Sequence, residues 1–295
     1  MKNEIEINPQ YNHGKNLIEF IKKNSKHKYK KELDNILEKY IEYRKKIDAI
    51  NFEGEDSIRS MVLYLNEYRS ISIVTFDKLT NSGQKALGYT ILEEFFFIMF
   101  DKIMCNFKTK HENVFIGKGN SYVSLSFTPN CFEDAFNNPQ PHIHTKDQDF
   151  VLGVAVDIDV KSKGVNTINK KNNKTVIPVV AIECKTYLEK NMLDSCAATA
   201  TRLKNAMPYC IYMVASEYMK MDESYPELTD IDEVYILCKK KNSERIKRSK
   251  EGKSPFNIDE ELIVDLYKRV ERHLNSIWWS PEDAIERGKI ICRPI

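Results

Sequence analysis

The sequence predicts an α/β protein: a mixed β-sheet flanked by helices, with helical additions at both ends of the chain. Two observations carry this. Runs with helical spacing of apolar residues alternate along the chain with short runs rich in Val, Ile, Phe and Tyr, the residues that suit a pleated, half-buried surface. The middle of the chain then holds two such β-type runs joined by a polar loop, the pattern of an antiparallel pair.

Length and composition fit this reading. With 295 residues, 42% hydrophobic and 30% charged, the chain is long enough for one large domain or two ordinary ones. Its net charge is only +2, so attraction to a polyanion has to come from local patches. The 7 cysteines are scattered without a CxxC pair and read as reduced thiols of a cytoplasmic protein. There is no secretion leader. The most apolar run, Phe95 to Phe100, is far too short to span a bilayer.

In chain order, residues up to about Asn16 read as an irregular lead. Six lysines and no acid follow between Lys22 and Lys31, either a solvated connector or a phosphate-contacting patch. Leu33, Ile36, Leu37, Tyr40, Ile41 and Ile47 predict an amphipathic helix over Lys31 to Ile50, and Ile58, Met61, Val62 and Leu65 predict another from about Ser57. These helices define a first region, residues 1–80, for DNA contact or dimerisation.

Asn81-Ser-Gly83 marks a break with Ser82 as N-cap candidate. A helix apolar nearly all round then runs to Met104, as a buried helix should. At ~100° per residue Glu94 falls on the face of Leu87, Ile91 and Ile98, with Glu93 well away from it. A carboxylate amid such a stripe needs a partner or a metal; the bland alternative is a rim Glu paired with a Lys. Asn113 to Thr128 reads as one strand or two. Asn130 to Lys146, next to Pro129 and holding Pro139 and Pro141, reads as a loop. Its His142 and His144, with Cys131, lack a closed tetrahedral set for zinc and suit DNA contact better.

The organising stretch is Asp149 to Tyr187. Asp149 to Val160 is a strand, Lys161 to Lys174 a solvated turn, and Thr175 to Lys185 an apolar strand ending in two charges. Side chains alternate along a strand, so Glu183 and Lys185 share a face and Cys184 takes the other. Folding the hairpin with Lys161 roughly opposite Lys174 brings Asp149 beside Glu183 and Lys185. Two neighbouring carboxylates repel unless a cation sits between them, and oxygen ligands with room for water suit Mg²⁺. Asp147, Asp157 and Asp159 share the parity of Asp149 and compete for its place. Asp157, eight residues on, would lie roughly 26 Å away at the loop end, at ~3.3 Å per residue. A charged strand end meeting solvent is the alternative for Glu183 and Lys185.

Beyond the hairpin, Met192, Leu193, Cys196, Ala197, Ala200 and Leu203 form a small-residue stripe on a helix that packs closely on a sheet. Tyr209 to Ala215 and Glu233 to Cys238 are two more strands. Lys239 to Lys253 holds eight Lys or Arg against two Glu, a loop or short helix read as a phosphate-contacting segment, with Lys240, Lys241, Arg245 and Lys247 as candidate DNA contacts. Ile258 to Ile277 is an amphipathic helix, and Ser280-Pro-Glu-Asp283 opens a last one. Trp278 and Trp279 are expected to close the core.

Asp149 with Glu183-Cys184-Lys185 resembles the PD-(D/E)xK nuclease superfamily. The run Ile182-Glu-Cys-Lys-Thr-Tyr187 resembles type II restriction endonucleases of the Bpu type. Gln148 stands where the motif has Pro, and the loop between the motif halves is longer than usual. Thr90-Ile-Leu-Glu-Glu-Phe-Phe96 resembles the superfamily's first core helix, which often carries an auxiliary acid. The order helix, hairpin, helix, strand, strand matches the αβββαβ restriction-endonuclease-like core. The resemblance covers roughly Asn81 to Lys239, giving a core of residues 81–240 and a basic, helical region 241–295.

It implies a Mg²⁺-dependent endonuclease that cuts double-stranded DNA at a specific sequence. Asp149, Glu183 and the Cys184 carbonyl would bind the metal. Lys185 would position the attacking water, and Glu94 would be an outer or second-metal residue. Cutting both strands implies a homodimer, or a heterodimer with a related subunit. The alternatives are a repair or transposon-type nuclease, and a non-catalytic DNA-binding protein on a nuclease-like fold.

Overall fold

The computed structural model describes residues 1–24, 26, 28–78, 82–160, 175–276 and 280–289, without the side chains of residues 3, 7, 82–86 and 106. The Asn81 break, the Lys161 to Lys174 turn and both tryptophans fall wholly or mainly outside them.

The chain opens with helices α1 (Lys2–Ile7), α2 (Asn12–Lys23), α3 (Lys30–Asp48) and α4 (Glu55–Phe76). The expected irregular lead is therefore helical. Leu17, Ile18 and Ile21 stand at helical spacing and are buried, a signal the sequence carried. In the lysine-rich stretch Lys22 pairs with Glu6 at 2.7 Å and Lys23 with Glu19 at 3.6 Å.

Next come α5 (Ser82–Ile103), α6 (Cys105–Lys108), β1 (Val114–Phe127), α7 (Asp134–Asn137) and β2 (Pro141–Val156). The predicted loop over Asn130 to Lys146 is thus partly strand, because β2 starts at Pro141 and pairs with β1 from Phe127 inward. Pro141 has no N–H to donate, which a first strand position tolerates. There follow β3 (Thr175–Leu188), α8 (Lys190–Ala206), β4 (Ile211–Met219), β5 (Glu233–Lys241), α9 (Asn242–Lys250), α10 (Glu260–Leu274) and α11 (Pro281–Arg287). Side-chain caps fix the last two starts. Asp259 accepts from the amides of Glu261 and Leu262 at 3.1 and 3.2 Å, and Ser280 from that of Asp283 at 3.3 Å.

Among the described residues five strands form one sheet in the order β1-β2-β3-β4-β5. β1, β2 and β3 run antiparallel in turn, whereas β4 and β5 lie parallel to β3. The parallel pairs need crossovers, and α8 supplies the first. The β2–β3 register pairs Phe150 with Ile182, with an irregularity between Leu152 and Gly153. A Cβ on Gly153 would stand 2.2 Å from the carbonyl oxygen of Ile177, so only glycine lets the strands close there.

The sheet has a core on each face. On one side Ile182, Cys184, Phe150 and Leu152 pack with Phe96 and Phe100 of α5, in an apolar body that continues through α2, α3, α4 and α10. On the other Ala181, Tyr212 and Val214 meet Leu193, Cys196, Ala200 and Leu203 of α8. The small-residue stripe lets that helix sit close. The three stretches expected as separate regions share the first core. Asn66 of α4 exchanges two hydrogen bonds with the Ile258 main chain at 2.8 and 2.9 Å, and Arg69 is ion-paired with Glu217 of β4 at 2.5 Å, both buried. Among the described residues no helix is long and apolar enough to cross a membrane.

Candidate active site

The charged end of β3 sits where the sheet passes from antiparallel to parallel pairing. Ile182 points into the α5 core and Ala181 into the α8 core, so Glu183 and Lys185 continue the Ala181 face while the Cys184 thiol is buried on the other. Their neighbour across the hairpin is Asp149, the residue before Phe150. Folding with Lys161 opposite Lys174 would set Asp149 opposite Thr186; the observed register sets it beside Glu183 instead.

The groups converge. Lys185 Nζ lies 2.5 Å from Glu183 Oε1 and 3.8 Å from Asp149 Oδ2. The Cys184 amide donates to Asp149 Oδ2 at 2.9 Å, which orients that carboxylate along the strand end. Lys118 of β1 approaches Asp149 Oδ1 to 3.9 Å. Asp147 pairs with Asn120 further out on the β1–β2 ladder. Asp157 and Asp159 lie past Val156, whose partner Thr175 opens β3 at the far end from Glu183. Geometry therefore puts Asp149, and not its competitors, beside the Glu-x-Lys.

Glu94 is a correction. Its carboxylate, 2% exposed, turns away from the sheet into the helices. It accepts from Tyr40 Oη at 2.5 Å and the Gly14 amide at 3.0 Å, and lies 3.7 Å from Arg44 Nη1. Glu93 is the residue that reaches the site. Its Oε2 is 3.4 Å from Lys118 Nζ and accepts from Asn12 Nδ2 at 2.5 Å. Neither Lys118 nor Glu93 nor Asn12 is expected from the sequence. Glu93 was within reach of it, since the auxiliary acid had two adjacent candidates.

The electrostatics fit a site short of positive charge. Burial, then the Asp149 carboxylate, push Glu93 up to about 7, against the pull of Lys118. Burial and Asp149 also raise Glu183, although Lys185 opposes them. Burial disfavours the Lys185 ammonium, but Glu183 and Asp149 outweigh it and hold the lysine above its ordinary value. On the α8 side burial and Glu183 push the Cys196 thiol up to about 11, which favours its protonated form at neutral pH.

Could these residues hold a cation? Two carboxylates beside one another, with one auxiliary carboxylate nearby, are a hard-oxygen donor set suited to Mg²⁺. Among the described residues no group of three His, Cys, Asp or Glu is placed to bind a metal by itself. A dication at Asp149 and Glu183 would thus draw further ligands from main chain, water or substrate, as Mg²⁺ commonly does. His142 and His144 sit on the outer ladder with ring centres 4.6 Å apart, and His144 Nε2 is 2.7 Å from Ser126 Oγ.

The basic segment leaves the same end of the sheet. Lys185 pairs with Ser216 of β4, and Lys240 and Lys241 pair with Tyr218 and Met219 one strand further. Two strand spacings and an offset of two residues separate Lys185 from Lys240, roughly 12 Å. Lys240 is 3.7 Å from Glu244, Lys241 is 3.0 Å from Asp222, and Arg245 is held by Asp77 at 3.1 Å. Lys247 is exposed on α9. A cavity of about 470 Å³ lies among α4, α5, α9 and the ends of β3 and β4, lined by Tyr89, Tyr187, Arg245, Arg248 and Phe256 among others; Asp149, Glu183 and Lys185 are not among its walls.

A mixed sheet, antiparallel up to β3 and parallel beyond it, sandwiched between α5 and α8, is a restriction-endonuclease-like α/β fold. The Bpu10I restriction endonuclease family model matches residues 84–290, and the chain belongs to that family. A solved structure described as the native BbvCI A2B2 tetramer superposes with a TM-score of 0.65 at 24% identity. The match covers 91% of this chain and 97% of that one, a likeness of fold. No curated protein matches the sequence.

Proposed function

We propose that this protein is a type II restriction endonuclease that hydrolyses phosphodiester bonds of double-stranded DNA at a specific sequence, with Mg²⁺ as cofactor. The observation that carries the reading is the cluster of Asp149, Glu183 and Lys185 within 3.8 Å at the end of β3. A binding module has no need of two adjacent carboxylates, which repel the phosphate backbone.

Asp149 and Glu183 would hold the metal, with the Cys184 carbonyl as main-chain ligand. The ion would supply a Lewis acid for the phosphate and an acidified water. The chain does the rest. The Cys184 amide fixes the Asp149 carboxylate. Lys185, charged and tied to Glu183, orients the attacking water and balances the negative charge that grows on the phosphoryl oxygens. Glu93 takes the auxiliary role expected of Glu94. Incubation of plasmid with Mg²⁺, followed by run-off sequencing of the products, tests the reading. Discrete ends at one sequence are expected; intact plasmid would overturn it.

Cleavage of both strands normally takes two such sites, so we expect assembly with a second copy or a related subunit; the BbvCI neighbour is described as A2B2. Lys240, Lys241, Arg245 and Lys247 would bind phosphates beside the site. Replacing all four by neutral residues should lower the slope of log affinity against log salt by about 0.9 for each phosphate no longer neutralised. Arg245, already engaged by Asp77, should contribute least. An unchanged slope would make the segment a solvated face.

A further inference from the structure

We propose that the segment Gln10 to Gly14, at the start of α2, is a working part of the cutting site, with Asn12 as the residue that positions Glu93. This rests on the nuclease reading above and adds to it a piece of chain outside the matched 84–290.

Within these residues the contacts divide between core and site. Two side chains serve the site. Asn12 Nδ2 donates to Glu93 Oε2 at 2.5 Å. Gln10 clasps the main chain of Lys118, accepting from its amide at 2.7 Å and donating to its carbonyl at 3.2 Å. Two neighbours anchor the segment. His13 lies 2.6 Å from Tyr68 Oη and 3.2 Å from Thr90 Oγ1, and the Gly14 amide donates to Glu94 at 3.0 Å. The segment thus holds both residues that bring the site its second half, Glu93 by its carboxylate and Lys118 by its main chain.

The backbone is shaped for these approaches. A Cβ on Gly14 would stand 2.4 Å from Tyr40 Oη, so a larger residue would lift α2 off Tyr40 and Glu94. Gly117 has φ +117, and a Cβ there would stand 2.1 Å from Gln10 Oε1; such a backbone suits glycine. Asn12 Oδ1 is buried and has no hydrogen-bond partner among the described residues, so the fold gets little from this side chain beyond its donation to Glu93. An apolar residue of similar size would pack as well. An amide at this position is explained by the carboxylate it steers.

The test compares wild type, Asn12→Ala and Gln10→Ala, full length. Read out are the single-turnover rate at saturating DNA, the Mg²⁺ concentration for half-maximal rate, duplex affinity without metal, calorimetric Mn²⁺ binding, and thermal melting. Asn12→Ala should melt and bind DNA as wild type does. Its Mn²⁺ affinity or saturating rate should fall by about ten- to a hundredfold, the usual loss when an outer-sphere partner is removed. Gln10→Ala should fall in the same direction and covers the case in which Asn12→Ala fails to fold. Wild-type rate and metal dependence in a folded Asn12→Ala would reduce the segment to a strut and overturn the proposal. A wild type that neither binds Mn²⁺ nor cuts any duplex would instead overturn the nuclease reading, and this inference with it.

Discussion

Asp149→Ala and Glu183→Ala are each expected to reduce DNA cleavage by at least about a thousandfold, some 4 kcal/mol of barrier, while duplex binding survives. Binding without metal should even improve, because a negative cluster facing phosphate has been reduced. The same experiment separates the two glutamates of α5. Glu93→Gln should lose rate and metal affinity in a stable protein. Glu94→Ala should lose stability instead. It strips Tyr40 and Gly14 of their acceptor and leaves the buried Arg44 without the carboxylate 3.7 Å from its Nη1, and breaking a buried pair from one side costs roughly 3–5 kcal/mol. Melting curves beside cleavage rates decide it. If Asp157→Ala or Asp159→Ala abolishes cutting and Asp149→Ala does not, the assignment of the site is wrong.

Lys185→Ala is expected to bind Mg²⁺ and DNA yet not cut at any pH, with Lys185→Arg keeping a trace of activity. A general base must lose its proton near the working pH. Burial pulls Lys185 that way, but Glu183 and Asp149 more than reverse it, so on the proposed reading the charged ammonium would serve orientation and charge balance. A bound dication would push its proton loss to lower pH, so single-turnover rates are to be measured across pH at saturating Mg²⁺. Glu93, at about 7 without metal, gives an acid limb: its carboxylate is lost as pH falls through that value, and saturating metal moves the limb lower. The lysine is judged on the alkaline side. A rise of rate with pH there in wild type that is missing from the residual activity of Lys185→Arg, whose guanidinium cannot lose its proton, would make it the base.

Much of the frame was legible because it rests on local periodicity. The α3, α4, α8 and α10 stripes each bury one consistent face, and the continuous apolar runs of β3 and β4 are buried on both; both patterns are visible in sequence. The Glu-x-Lys was legible for a related reason. Alternation along β3 puts Glu183 and Lys185 on one face whatever lies around them, and two charges closing an apolar strand have no packing purpose.

Contacts between distant segments decided the rest. A helix apolar nearly all round offers no face by which to rank Glu93 against Glu94. α5 is covered by the sheet on one side and by α2, α3 and α4 on the other, so both carboxylates are buried, at 9% and 2% exposure, and only the neighbours tell them apart. Glu94 meets Arg44 and Tyr40 of α3, whereas Glu93 meets Lys118 from β1 and Asn12 from α2. In the same way the sequence determined that Asp149, Asp157 and Asp159 shared a parity, and the hairpin register decided which of them stands beside Glu183. Spacing along the chain sets the direction in which a side chain leaves its own strand or helix; what it meets there is set by segments tens of residues away, and a carboxylate's charge depends on that company.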